Sequence, residues 1–187
     1  MSKIRAYITL GRPHQYIKNG FIFIPIFFAH KLFDYHALTQ TCWAFAAFCF
    51  GSSSVYVIND IFDIKTDRLH PNKKARPLAA GILGWKEALI FAGILLGASI
   101  SLTLYALGSI LLILLISYLF LNYLYSFKIK HYAIVDVTAI AIGFVMRVLA
   151  GGVAANVMVS HWLIIMTFLL ALFLAFAKRR DDLILLS

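Results

Sequence analysis

Between Asn59 and Gly81 the chain reads N-D-I-F-D-I-K-T-D-R-L-H-P-N-K-K-A-R-P-L-A-A-G. Asp60, Asp63 and Asp67 stand at i, i+3 and i+7, and at 100° per residue a helix keeps such a set within an arc of roughly 60°. One face could then hold a divalent cation. Arg68, Lys73, Lys74 and Arg76 follow, with Pro71 ending the helix, so the carboxylates adjoin side chains suited to phosphate. Magnesium is usually held by one or two carboxylates plus substrate phosphates, so the pattern points to Mg2+ shared with a diphosphate. The alternative is a solvated interhelical loop whose mixed charges keep it in water. Against that stands the close spacing of three acids, which repel one another unless something compensates them.

The elements that must position these residues are membrane helices. Of 187 residues, 62% are hydrophobic and 13% charged, too apolar for a soluble domain of this size. No Asp, Glu, Lys or Arg occurs from His36 to Asn59, nor from Ala88 to Phe127, the latter long enough for two spans turning near Gly108. Ile134 to Asn156 and His161 to Ala177 read as further spans, and Tyr16 to Phe33 as a shorter first one kinked at Pro25. The expected fold is all-α: a polytopic bundle of about six transmembrane helices in a single domain, residues 1–187. The first apolar run carries Lys18 and no small-residue cleavage site, so it is expected to stay in place.

Charge sets the expected orientation. Of the 17 Lys and Arg, 15 fall on one side of these spans, Lys31 falls on the other and Arg147 lies within the membrane. The positive-inside rule then puts both termini and the Asp60 loop in the cytoplasm, at an inner or plasma membrane. The net charge of +9 can serve anionic lipid and anionic substrate alike, and no nucleic-acid partner is expected.

Further polar residues sit close to this face. Arg12 and Lys18 flank the first span, either as positive anchors or as residues reaching the Asp60 loop. Asn122, Tyr125, Ser126, Lys128 and Lys130 return the chain to the same side before Asp136, and Lys178-Arg179-Arg180-Asp181-Asp182 ends the sixth span there. Arg147 lies eleven residues past Asp136, roughly 16 Å deeper along a helix, where a charge needs partners, as a structural clamp or as a substrate ligand. Gly93-x-x-x-Gly97, Ala139-x-x-x-Gly143 and Ala150-x-x-x-Ala154 read as close helix packing. Cys42 and Cys49, seven residues apart on one helix, are too distant for a disulfide, and the six His show no zinc spacing.

With these residues in view, the chain resembles the UbiA superfamily of membrane prenyltransferases, whose first motif is N-D-x-x-D-x-x-x-D. Within it the likeness is to the decaprenyl-phosphate phosphoribosyltransferase branch. It is carried by R-P-H-Q-Y-I-K-N from Arg12, N-D-I-F-D-I-K-T-D-R-L-H-P from Asn59 and K-K-A-R-P-L-A-A-G from Lys73. Y-S-F-K-I-K from Tyr125, D-V-T-A-I-A-I-G-F-V-M-R from Asp136 and K-R-R-D-D from Lys178 add to it. The usual Y-x-x-x-K pattern is altered here, since Tyr125 is followed by Lys128 and Lys130, and Asp182 stands where Glu is the norm.

The resemblance implies a fold of about nine helices, of which this chain carries about six. It implies a transferase that moves phosphoribosyl from phosphoribosyl diphosphate to a polyprenyl phosphate, such as decaprenyl phosphate, with Mg2+ and release of diphosphate. In that scheme Asp60, Asp63 and Asp67, helped by Asn59, hold the metal, and Asp181 and Asp182 complete the site or bind ribose hydroxyls. Lys73, Arg76, Lys178 and Arg179 face phosphates, Lys18 or Lys130 positions the lipid phosphate, and Tyr125 and Arg147 join the substrate-binding set. The alternatives are prenyl transfer from a prenyl diphosphate to an aromatic or isoprenoid acceptor, and an inactive bundle that only binds lipid.

Overall fold

The computed structural model of the protein describes residues 2–127 and 133–184, and every long element among them is a helix. The chain opens with α1 (Lys3–Gly11), capped by the Ser2 side chain at the Arg5 amide. Ala6, Leu10 and Gly11 form its buried side. It stops at Arg12, whose φ of 52° and ψ of 56° put a non-glycine residue in the left-handed region. The short first span expected from Tyr16 to Phe33, kinked at Pro25, is 3₁₀ as far as Phe23 and α-helical only over Ile24–Phe28. An eleven-residue 3₁₀ segment, Pro13–Phe23, carries the chain inward and gives way to the short α2 (Ile24–Phe28), with Pro25 in its first turn. A 3₁₀ run of that length is unusual, and tertiary contacts hold it. The Ile22 carbonyl lies so close to α7 (Ala133–Ala154) that a Cβ on Gly151 would approach it to 1.9 Å.

The 28-residue α3 (Tyr35–Phe62) starts at the Asp34 cap and is the axis of the bundle. At 1.5 Å per residue it is about 42 Å long, more than a bilayer's hydrocarbon core. Gly51, Ser52, Ser53 and Ser54 are all buried, and their small side chains let neighbouring backbones approach. Its principal neighbour is α5 (Trp85–Ala106). The pair is antiparallel: Val57 shares a core cluster with Ala88, while Ser99 Oγ donates to the Ala47 carbonyl at 2.7 Å. Between α3 and α5 lie α4 (Ile64–Leu69) and a loop anchored by buried Leu78 and Leu83.

Gly108, at φ 82°, turns α5 into α6 (Ser109–Phe127), at the place the sequence indicates. α7 then packs on α6, on the 3₁₀ segment and on α8 (His161–Ile184). Among the described residues four helices, α3 and α5 to α7, are long and apolar enough to cross a membrane, and His161–Ala177 is a shorter apolar stretch. Ile90, Ile113, Phe120 and Phe173 are each more than 60% exposed, as lipid-facing side chains are.

One packing expectation fails. Gly93 and Gly97 are exposed, and nothing lies within 4 Å of a Cβ added to either. α5 turns Ala88, Ala92, Ser99 and Thr103 inward instead. Of the other two small-residue pairs, Ala139 and Gly143 line a cavity, and Ala150 belongs to the central core beside Phe48 and Leu115. Cys42 and Cys49 are free thiols, Cys42 exposed and Cys49 buried.

Candidate active site

The acid motif sits at the end of α3, where the chain bends. Asp63 closes α3 with φ −87° and ψ 4° and opens α4, so the three acids do not share one unbroken helix face. The Asn59 carbonyl still accepts from the Asp63 amide at 2.9 Å, and the Asp63 carbonyl from the Asp67 amide at 2.8 Å. Thr66 Oγ1 donates to the Asp63 carbonyl at 2.9 Å, and such local competition for backbone groups favours a helix boundary over a helix interior.

Asp60 and Asp67 are buried, at 3% and 4% exposure, while Asp63 is half-buried. Both buried acids are met by arginine. Arg76 Nη1 donates to Asp67 Oδ2 at 2.7 Å and to Asp60 Oδ1 at 3.2 Å, so one cationic nitrogen joins the two carboxylates. Arg12 Nη2 donates to the same Asp60 oxygen at 2.5 Å, and its guanidinium lies 5.3 Å from the Tyr56 ring centroid. Among the described residues no three His, Cys, Asp or Glu side chains stand close enough to hold a metal by themselves. Two carboxylates converging on a single cation do fit a site that Mg2+ completes with substrate phosphate, because magnesium keeps few protein ligands.

Beside this cluster lies a cavity of about 400 Å³ between α3, α6, α7 and α8. Lys18, Tyr56, Asn59, Asn122, Tyr125 and Arg147 supply its polar wall, and no Asp or Glu appears among its described lining residues. Arg147 is 6% exposed. Its Nε donates to Asn19 Oδ1 at 2.8 Å, Nη1 to the Gly143 carbonyl at 2.8 Å and Nη2 to Tyr118 Oη at 2.6 Å. The plane also lies over the Tyr118 and Phe144 rings, at 4.7 and 5.2 Å. The side chain therefore ties the 3₁₀ segment to α6 and α7 through neutral acceptors. Its charge meets no carboxylate among the described residues and is held by neutral groups.

Outside the described cavity lining, Arg179 of α8 reaches Asp136 at the start of α7 with two nitrogens, Nε at 2.7 Å and Nη2 in a closer contact. Asp136 Oδ1 is buried with no hydrogen-bond partner among the described residues. Lys73 is exposed on the 3₁₀ turn Lys73–Ala75, away from the cavity wall. Lys130 lies outside the described residues, as do the side chains of Lys178, Asp181 and Asp182 on α8.

Sequence reasoning missed Asn19 and Tyr118, the two side chains that hold Arg147. Tyr118, Asn122 and Tyr125 stand at i, i+4 and i+7 on the otherwise apolar α6, and that polar stripe was the available signal.

Comparison with known proteins places this geometry in a class. Residues 21–183 match the UbiA prenyltransferase family. The chain belongs to the UbiA prenyltransferase family, whose members are transferases, and it is an integral membrane protein. It is 35% identical over 177 residues to a decaprenyl-phosphate phosphoribosyltransferase of Corynebacterium glutamicum, covering 93% of this chain and 53% of that protein. With the same enzyme of Mycolicibacterium smegmatis it is 34% identical, over 96% of this chain and 58% of that one. The chain thus spans between half and three-fifths of the length of these relatives. A UbiA homolog from Archaeoglobus fulgidus, solved bound to GPP and Mg2+, shares the fold with a TM-score of 0.75 at 22% identity. That likeness covers 89% of this chain and 60% of the homolog.

Proposed function

We propose that this chain forms the membrane-embedded site of a transferase that moves phosphoribosyl from phosphoribosyl diphosphate to a polyprenyl phosphate. The observation that carries the reading is the pairing of a cavity with a neighbouring ion-pair cluster. A cavity with Lys18 and Arg147 in its wall, and no acid among its described lining residues, suits a phosphate on a lipid acceptor. The acid and arginine cluster next to it suits a diphosphate donor. Two phosphorylated substrates meeting at one bond is the arrangement that this transfer needs, and the identity to the Corynebacterium and Mycolicibacterium enzymes supports the same choice.

In this reading a phosphate oxygen of the acceptor attacks the anomeric carbon of ribose. The new C–O bond forms as the bond to diphosphate breaks, and the electron pair leaves with diphosphate. The nucleophile is already anionic at neutral pH, so no side chain has to remove a proton. Lys18 or Lys130 positions the acceptor phosphate, and Arg147 and Tyr125 line the space where the groups meet. Asp60, Asp63 and Asp67, with Asn59, would hold Mg2+, which when bound would supply stabilisation of the charge on diphosphate. Lys73, Arg76, Lys178 and Arg179 supply countercharge, and Asp181 and Asp182 serve the metal or the ribose hydroxyls. The site opens to the cytoplasm, because 15 of the 17 basic residues fall on that side.

The test is to incubate membranes carrying the protein with labelled phosphoribosyl diphosphate and polyprenyl phosphate. A labelled lipid product is expected. Turnover with a prenyl diphosphate and an aromatic or isoprenoid acceptor alone would replace this reading by prenyl transfer. Binding of polyprenyl phosphate with no turnover of either donor would leave only a lipid-binding bundle.

A further inference from the structure

We infer that Arg76 and Arg12 are exchangeable counter-ions: they hold the metal-binding acids in the free protein and pass to the diphosphate when a cation takes those acids. The inference rests on the donor's being a diphosphate, whichever group it carries.

Burial is asymmetric within the cluster. The Asp60 and Asp67 side chains are 4% and 5% exposed, whereas those of Arg12 and Arg76 are 23% and 29% exposed. The acids are fixed by a helix end and by α4, which packs through buried Asp67. The two arginines reach in from irregular backbone. Arg12 occupies the left-handed junction between α1 and the 3₁₀ segment, and Arg76 ends the turn Lys73–Ala75 in an extended conformation just before Pro77. A guanidinium on such a tether can turn toward solvent while the acids stay in place.

Charge arithmetic gives the exchange its direction. Two carboxylates against two guanidinium groups make a neutral cluster, in which ionised acids are tolerated despite burial. A divalent cation arriving alone would displace Arg76 from Asp60 and Asp67 and leave two arginines beside an added double charge. Arriving with a diphosphate, it leaves the arginines a new anionic partner of matching geometry, since a guanidinium binds phosphate and carboxylate through the same fork. Metal and diphosphate therefore raise each other's affinity, and the coupling is reciprocal. The free protein resists bare metal, so the acids are kept for a cation that comes with its substrate.

Mn2+ serves as the probe, with free ion counted by electron paramagnetic resonance on the purified protein without diphosphate. The parent is expected to bind Mn2+ weakly. Arg76→Gln is expected to bind it about tenfold more tightly or better, with Arg76→Lys between the two and Arg12→Gln shifted in the same direction by less. Affinity for inorganic diphosphate at saturating Mg2+ should move the opposite way, falling about tenfold in Arg76→Gln. A merely structural role for Arg76 would lower metal affinity or leave it alone, so the gain is the diagnostic. Thermal melting guards against misfolding, because Mn2+ alone should raise the melting temperature of Arg76→Gln and not that of the parent. If the parent binds bare Mn2+ as tightly as Arg76→Gln, or if neither Gln variant gains affinity, the exchange is wrong. The labelled-transfer assay decides the choice of donor independently of that result.

Discussion

Arg147 shows how much one buried charge can organise. Three donors of a single guanidinium reach a 3₁₀ segment, a helix carbonyl and a tyrosine on a third helix, so the position works as a joint. Two of the three bonds cross between elements, to Asn19 and Tyr118, and at about 0.6 kcal/mol for a hydrogen bond between membrane helices they sum to about 1 kcal/mol. Arg147→Met is expected to lower stability by about that amount, measured as thermal melting in detergent. Lysine cannot reproduce the planar fork, so Arg147→Lys should recover little of the loss, while Tyr118→Phe should cost about half as much. The cavity also loses a positive wall in Arg147→Met. Its affinity for polyprenyl phosphate should therefore fall further than in Tyr118→Phe, which keeps the charge. Equal losses of affinity in the two variants would reduce Arg147 to a clamp alone.

At the scale of elements, the position of the 3₁₀ segment Pro13–Phe23 is decisive, because it carries Lys18 and Asn19 to the cavity. Asn19 Nδ2 donates to Ser52 Oγ at 3.3 Å, and Ser53 Oγ donates to the Gly11 carbonyl at 2.7 Å, so α3 grips the segment from its serine run. α7 grips it from the other side only because residue 151 has no side chain. A methyl there would meet the Ile22 carbonyl at 1.9 Å, and backbone must move. Gly151→Ala should cost about 1–3 kcal/mol of stability through that overpacking and should pull Asn19 off Arg147. Gly97→Ala is the contrasting case on α5. With open space around it, the same substitution should be neutral or stabilise by up to about 1 kcal/mol from helix propensity. Both are read from thermal melts, and a neutral Gly151→Ala would show that the 3₁₀ segment is not held where it lies.

For the molecule as a whole, the bilayer decides what the outer surface is made of. Side chains such as Ile94, Phe120 and Leu169 are more than half exposed on α5, α6 and α8, and in lipid that exposure carries no penalty. The acids and arginines gather at one end of this apolar shell, where α3 ends and α5 begins. A reporter fused after Ser187 is expected to be active only when cytoplasmic, since six apolar segments return the chain to its starting side. A signal from the opposite side would overturn both the span count and the placing of the site.

Several features were settled by sequence alone. Charge-free runs of sufficient length identify the membrane helices, because lipid tolerates little else. Gly108 marks the α5–α6 turn, because a positive φ suits glycine. The spacing from Asn59 to Asp67, together with the flanking basic residues, indicated the family that residues 21–183 match. Other features depended on the tertiary structure. Arg12 meets Asp60 across 48 residues of chain and Arg147 meets Asn19 across 128, and no local pattern encodes contacts of that range. Nor did periodicity separate inward from outward faces, as the exposed Gly93 and Gly97 show. In water an apolar stripe marks the core, but in a bilayer the core and the lipid-facing surface are both apolar, so the hydrophobic pattern is silent and packing alone chooses the face.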